Sequence, residues 1–200
     1  GKNHLTDITN ASRTMLFNIN QQDWDSELLD IFGIPSSILP EVKDCGYEFG
    51  ITDTSLFSSP ITISGVAGDQ QAAALGQAYI TPGTLKATHG TGCFAILNTG
   101  SEIARSSQRL LTTIAYRLNG KTSYALEGSI FCAGASLKWF QEKLQLIKCP
   151  EDAGTLASDS DLTQEVYMIP AFTGLGAPWW DPEARAAFMG MTLATGPHEL

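Results

Sequence analysis

At 200 residues with 43% apolar side chains, the chain is long enough for one large domain or two smaller ones around a packed core. Its formal net charge is −9 and its Lys and Arg residues are nowhere clustered, which excludes nucleic acid as a partner, because phosphate neutralisation needs grouped cations. No apolar run approaches the roughly 20 residues of a membrane span, and charged residues make up only 16% of the chain, as expected where other protein covers much of the surface.

From the amino terminus, Asn10 to Phe17 is predicted to begin a helix capped by Asn10. A clearer helix start follows at Asp25, with Glu27 at the positive end of the dipole and Gly33 and Pro35 as the stop. Residues 35–59 are broken by Pro, Gly, Ser and Asp and read as loop with short strands. Ile61 to Val66 alternates with period two and reads as a strand, and an Ala-rich helix then runs from Asp69 to about Tyr79. Pro82-Gly83 breaks the chain, so a domain boundary is placed there: residues 1–80 in one domain and 81–200 in the next.

Two strands are expected over Thr84–Thr88 and Cys93–Asn98, joined by the tight turn His89-Gly90-Thr91-Gly92. Leu110–Arg117 and Lys121–Glu127 form a hairpin across Asn119-Gly120, a strong turn signal. Ile130, Ala133, Leu137, Phe140, Leu144 and Ile147 recur at steps of three and four, which predicts a helix over residues 129–147. Thr155 to Glu165 reads as surface helix or loop, Val166–Ile169 as a short strand, and Phe172–Pro182 as a Gly/Pro/Trp-rich packed loop with no catalytic role. Hairpins and helices on both sides of a mid-chain break give a mixed α/β fold in two lobes.

Cys45, Cys93, Cys132 and Cys149 form no CxxC pair, and His4, His89 and His198 stand apart, so no zinc site is expected. Wide cysteine spacing without a leader pattern favours reduced thiols and a cytoplasmic setting. Asn10-Ala11-Ser12 matches the glycosylation triplet by chance in such a chain. Both ends read as cut: no initiator Met precedes Lys2, and the helix start at Thr195–Leu200 is not continued.

Three motifs bear on chemistry. Gly68-Asp69-Gln70 stands at a strand end and opens a helix; Asp69 is either a helix cap or a base for a substrate hydroxyl, and spacing by itself favours the cap. Gly90-Thr91-Gly92 either cradles a phosphate with its amides or is a turn that needs positive φ. The same stretch through Ala95 fits a dinucleotide-binding pattern, but that pattern must open a helix, and here a strand is expected. Gly134 and Lys138 lie one turn apart; the glycine either leaves a notch for a planar base or permits close helix packing. GxxxxGK[ST], HExxH and GxSxG are absent from the 200 residues, which removes P-loop and serine-hydrolase readings.

Five blocks taken in order resemble the glycerol kinase branch of the FGGY carbohydrate kinases: Thr6–Asn18, Ser64–Ala73, Gly90–Phe94, Tyr124–Gly128 and Pro170–Pro178. The resemblance implies an actin/hexokinase/Hsp70-like (ribonuclease H-like) two-lobe α/β fold, present in part, with an active site in the cleft between lobes. It implies that ATP and Mg²⁺ phosphorylate glycerol to glycerol 3-phosphate, and that the full-length enzyme is a homo-oligomer. By the same resemblance Asp69 is the catalytic base and also contacts substrate with Gln70 and Phe94, while Gly90, Thr91, Gly92, Gly134 and Lys138 serve the nucleotide. Relatives often carry Gln in place of Lys138, and no Arg occurs in Thr54–Thr62, where bacterial relatives bind a sugar-bisphosphate inhibitor. The family's amino-terminal phosphate-binding segment is not in these residues, so the 200-residue chain alone is expected to be inactive. The rival expectations are a pentulose or gluconate kinase of the same family, and a non-catalytic actin-like nucleotide-binding module.

Overall fold

The computed structural model describes residues 2–200. They divide into two units, one made of residues up to Lys86, Ile96–Ser106 and Leu111–Glu127, the other of Ala87–Ala95, Ser107–Leu110 and Gly128–Leu200. The elements in chain order are β1 (Leu5–Asp7), α1 (Ile8–Ala11), β2 (Phe17–Asn18), β3 (Asp23–Trp24), α2 (Ser26–Phe32), β4 (Glu41–Lys43), β5 (Gly50–Ile51), β6 (Thr62–Ile63), α3 (Asp69–Gly76), β7 (Leu85–His89), β8 (Cys93–Gly100), β9 (Leu111–Leu118), β10 (Lys121–Ile130), α4 (Gly134–Trp139), α5 (Asp152–Ser158), β11 (Tyr167–Ile169) and β12 (Ala187–Met189). The largest sheet has the order β7-β8-β10-β9, and β1 pairs in parallel with β4.

In the first unit, α1 starts earlier than Asn10 would dictate. Asp7 is the cap, and its carboxylate accepts the backbone N–H groups of Thr9 and Asn10. A carboxylate one turn upstream satisfies the orphan donors, so the helix begins at Ile8 and is finished by Ser12. α2 follows the sequence reading: Asp25 caps it, and Gly33 ends it in the left-handed conformation at φ 65°. Burial holds the Cys45 thiol at a pKa of about 11, with the nearby Asp7 charge adding to the effect, so this thiol stays protonated and unreactive near neutral pH. All four cysteines are free.

Ile8, Ala11, Phe17, Cys45, Ile114 and Tyr124 form one core cluster of this unit, with Trp24 and Val42 packed against it. Ala74, Tyr79, Ile96, Ala115 and Ala125 form a second, which seats α3 on β8, β9 and β10. Burying one such Ile side chain contributes roughly 1.5–3 kcal/mol. The β9–β10 hairpin turns through Asn119 (φ 51°) and Gly120 (φ 71°), the paired left-handed residues of a type I′ turn. The Gly120 N–H and the Arg117 guanidinium both donate to Asp44, which ties the hairpin tip to the loop after β4. Of the strand expected over Ile61–Val66, only Thr62–Ile63 pairs, with β5, and both residues are exposed.

In the second unit the helix expected over residues 129–147 is confined to residues 134–144. β10 continues through Ile130, α4 starts at Gly134, and residues 140–144 form a π-helical turn that Gln145 ends at φ 56°. The inward positions at the end of β10 are Ala125, Glu127 and Ser129. Two of those three are polar, so the period-two signal was hidden, while exposed Ile130 supplied a false helical register. Trp139 packs on Phe172 with ring centroids 4.8 Å apart, and Phe140 meets Phe188 at 6.1 Å. The Phe172–Pro182 loop is fixed by its own bonds: Ala177 N–H donates to Ser129 O at 3.0 Å and Trp180 Nε1 to Arg109 O at 2.7 Å. Among the described residues no helix is long and apolar enough to cross a membrane.

Candidate functional site

The candidate site residues of the first unit, Asp69 and Gln70, stand at the start of α3. Gly68 is the N-cap and offers no side chain. Its backbone N–H donates instead to Thr9 Oγ1 at 2.8 Å, and the Thr9 hydroxyl donates in turn to the Asp7 carboxylate. Both Asp7 and Thr9 are fully buried, and Asp7 also accepts from the Asn10 side chain and the Cys45 thiol. A buried carboxylate needs this many donors to offset its lost hydration. A methyl group added at Gly68 would stand 2.7 Å from Gln71 Oε1, the far end of a side chain that can shift.

Asp69 is therefore the first helical residue, not the cap. It is exposed, and Oδ1 accepts the Gln70 N–H at 2.8 Å. Its second oxygen has no hydrogen-bond partner among the described residues, which leaves an acceptor for a proton from a bound hydroxyl. Gln70 turns its side chain inward, where Oε1 accepts from Lys86 Nζ at 2.8 Å. Lys86, the second residue of β7, is 3% exposed.

In the second unit the glycine turn and the start of α4 are one hydrogen-bonded assembly. Gly90 N–H closes the turn on Gly92 O at 2.8 Å. The N–H groups of Ala133 and Ala135 donate to Thr91 O at 2.8 and 3.1 Å, and Gly134 N–H donates to Gly90 O at 2.9 Å. The first donors of α4 are thus used by turn carbonyls. A Cβ at Gly134 would meet Gly90 O at 2.7 Å, and one at Gly92 would meet Ile130 O at 2.7 Å. Close backbone approach explains both glycines. Thr91 is exposed, and half-buried Phe94 lies with its ring edge 3.3 Å from the space of a Gly92 Cβ. Lys138 is 69% exposed along its side chain and pairs with Glu142 at 3.6 Å. The glycines lead into strand β8, so the helix that a dinucleotide-binding turn requires is missing here.

Residues 1–76 match the N-terminal domain of the FGGY family of carbohydrate kinases, and residues 85–200 match its C-terminal domain. The chain belongs to the FGGY family of carbohydrate kinases. Among FGGY relatives, a glycerol kinase of Sinorhizobium fredii is 63% identical over 199 residues, and one of Rhizobium rhizogenes is 60% identical over 200. Each comparison covers 100% of this chain and 40% of the relative, so the chain spans two fifths of the length of those proteins. The crystal structure of Plasmodium falciparum glycerol kinase with ADP superposes with a TM-score of 0.88 at 42% identity, over 98% of this chain and 40% of that one. A ligand-bound xylulose kinase from Lactobacillus acidophilus gives a TM-score of 0.81 at 23% identity over 98% of this chain and 41% of that one, a likeness of fold alone. The chain accordingly carries part of the actin/hexokinase-like α/β fold of FGGY kinases.

Within this FGGY chain, the structure joins Gly90–Gly92 to Gly134, which the sequence offered as separate motifs. It also adds residues that sequence reasoning passed over. Asp7 and Thr9 brace the backbone before Asp69, and Lys86 holds Gln70. A lysine between Leu85 and Ala87 in a strand was the one available signal for the last of these.

Proposed function

We propose that this chain is part of an enzyme that transfers the γ-phosphoryl group of ATP to glycerol, giving glycerol 3-phosphate and ADP. The observation that carries the reading is the state of Asp69: an exposed carboxylate beside Gln70 and off the N-cap position, with one oxygen unpartnered among the described residues. The 63% identity to a glycerol kinase along the whole chain supports glycerol over a pentulose or gluconate as acceptor.

In this reading residues 1–80 belong to the first kinase lobe and 81–200 to the second. Asp69 Oδ2 takes the proton of the attacking hydroxyl as its oxygen bonds to the γ-phosphorus and ADP departs. A loose phosphoryl-transfer transition state asks for positioning and charge neutralisation more than for a strong base. Gln70 and Phe94 hold the polyol, one by hydrogen bonding and the other by packing on its carbons. Gly90, Thr91 and Gly92 present the turn and an exposed hydroxyl to the phosphates, with Gly134 and Lys138 beside the nucleotide. Among the described residues no group of three or more His, Cys, Asp or Glu is placed to hold a metal ion. Mg²⁺ is expected to arrive with the nucleotide as its substrate complex. A cytoplasmic, homo-oligomeric enzyme completes the proposal.

The test is a substrate panel on the complete enzyme, with glycerol, xylulose, ribulose and gluconate offered alongside ATP. Preferred turnover of glycerol supports the reading; preference for a pentulose or gluconate overturns it.

A further inference from the structure

Lys86 is a buried cation without an anion. The β7 strand turns Leu85 and Ala87 outward and Lys86 inward. There the ammonium of this residue, which is 3% exposed, donates to the neutral amide oxygen of Gln70. Among the described residues no carboxylate lies within salt-bridge distance of it. Burying an ammonium costs several kcal/mol, and a neutral amide returns only part of that. A methionine would fill the same space without the cost.

We propose that Lys86 is a positioning residue of the acceptor site, holding the Gln70 side chain in the orientation that a polyol meets. Lysine has three donors and no acceptor, so only the amide oxygen of Gln70 can face it. The contact removes the two-fold ambiguity of a carboxamide: the oxygen points inward to Lys86, and the nitrogen is set to the other side. Gln70 adjoins Asp69, so the same contact fixes the first turn of α3 from within. The inference rests on the assignment of Gln70 to the acceptor site.

Lys86→Met and Gln70→Glu in the complete enzyme test it. Lys86→Met is expected to raise the glycerol KM roughly tenfold, the scale of a lost charge-assisted hydrogen bond. The ATP KM should stay within about twofold of wild type, and the melting temperature should hold or rise, because an unpaired buried charge has gone. A merely structural lysine gives the opposite pattern: a lower melting temperature with the glycerol KM unchanged, which overturns the proposal. Gln70→Glu reads the contact from the other side and does not depend on Lys86→Met folding. It places a carboxylate against Lys86, so the melting temperature should rise at neutral pH, and no rise overturns the contact. A wild-type enzyme that ignores glycerol defeats the proposed function instead, and the Gln70→Glu melting temperature still decides the Lys86–Gln70 contact.

Discussion

The backbone carbonyl of Gly90 stands where a side chain on Gly134 would begin, 2.7 Å from the ideal Cβ position. The obstacle is backbone, with no flexible side chain to give way. Gly134→Ala is therefore expected to separate α4 from the glycine turn and to break the Gly134 N–H bond to Gly90 O. A destabilisation of about 1–3 kcal/mol follows from such overpacking, read as a lower denaturation midpoint, together with a higher ATP KM in the complete enzyme. An unchanged midpoint would mean that the turn relaxes freely.

Asp69 separates chemistry from stability. Because Gly68 holds the cap position, Asp69→Ala removes only a bond to the next residue's N–H and a favourable charge at the helix start. The stability loss should be under about 1 kcal/mol. Turnover in the complete enzyme should fall by well over ~100-fold, the low end of general-base effects, while ATP binding persists. Calorimetry and steady-state kinetics on the same preparation check both halves.

Arg13 and Glu127 form a two-pronged pair, with Nη1 donating to Oε2 at 2.6 Å and Nη2 to Oε1 at 3.0 Å. The Glu127 side chain is 4% exposed. Arg13→Met takes the cationic partner from a buried carboxylate, and with the Arg13 side chain itself 44% exposed the cost should be about 1–3 kcal/mol. Adding Glu127→Gln should recover much of that loss, and a double-mutant cycle measures how much.

Asp44 makes a pH-dependent contribution. Burial opposes its charge, but the Gly120 N–H and the Arg117 guanidinium outweigh that and hold the carboxyl below its ordinary value of 3.8. The folded form therefore releases the proton more readily than the unfolded form, and the stabilisation is complete above the unfolded value. It is lost as pH falls through the lowered folded value. Asp44→Asn should be less stable than wild type by on the order of 1 kcal/mol near pH 7, with the gap closing below about pH 4. Urea midpoints across pH 2–7 give the curve, and a gap that persists in acid would contradict it.

How much of this was readable beforehand depended on whether a signal was local. Asn119-Gly120 announced its hairpin, and Asp25 with Gly33 bounded α2, because turn and cap chemistry lies within a few residues. Asp69 was marked by its motif, whereas the anchoring of Gly68 to Thr9 just before it spans distant parts of the chain and left no local signal. The expected strand stopped at Glu127, three residues short of the end of β10, because the next inward residue is the polar Ser129 and Ile130 is exposed. Lys86 was passed over for a similar reason: a strand lysine looks like an edge residue until its inward partner is known.

The Asp7–Thr9–Gly68 relay has a practical consequence for anyone redesigning acceptor preference. The backbone just before Asp69 is anchored to a buried amino-terminal turn some sixty residues earlier in the chain, through Gly68 N–H, the Thr9 hydroxyl and Asp7. Under the proposed role of Asp69, Thr9→Val in the complete enzyme is expected to lower turnover without altering any residue proposed to touch substrate, because it removes the hydroxyl that receives the Gly68 N–H.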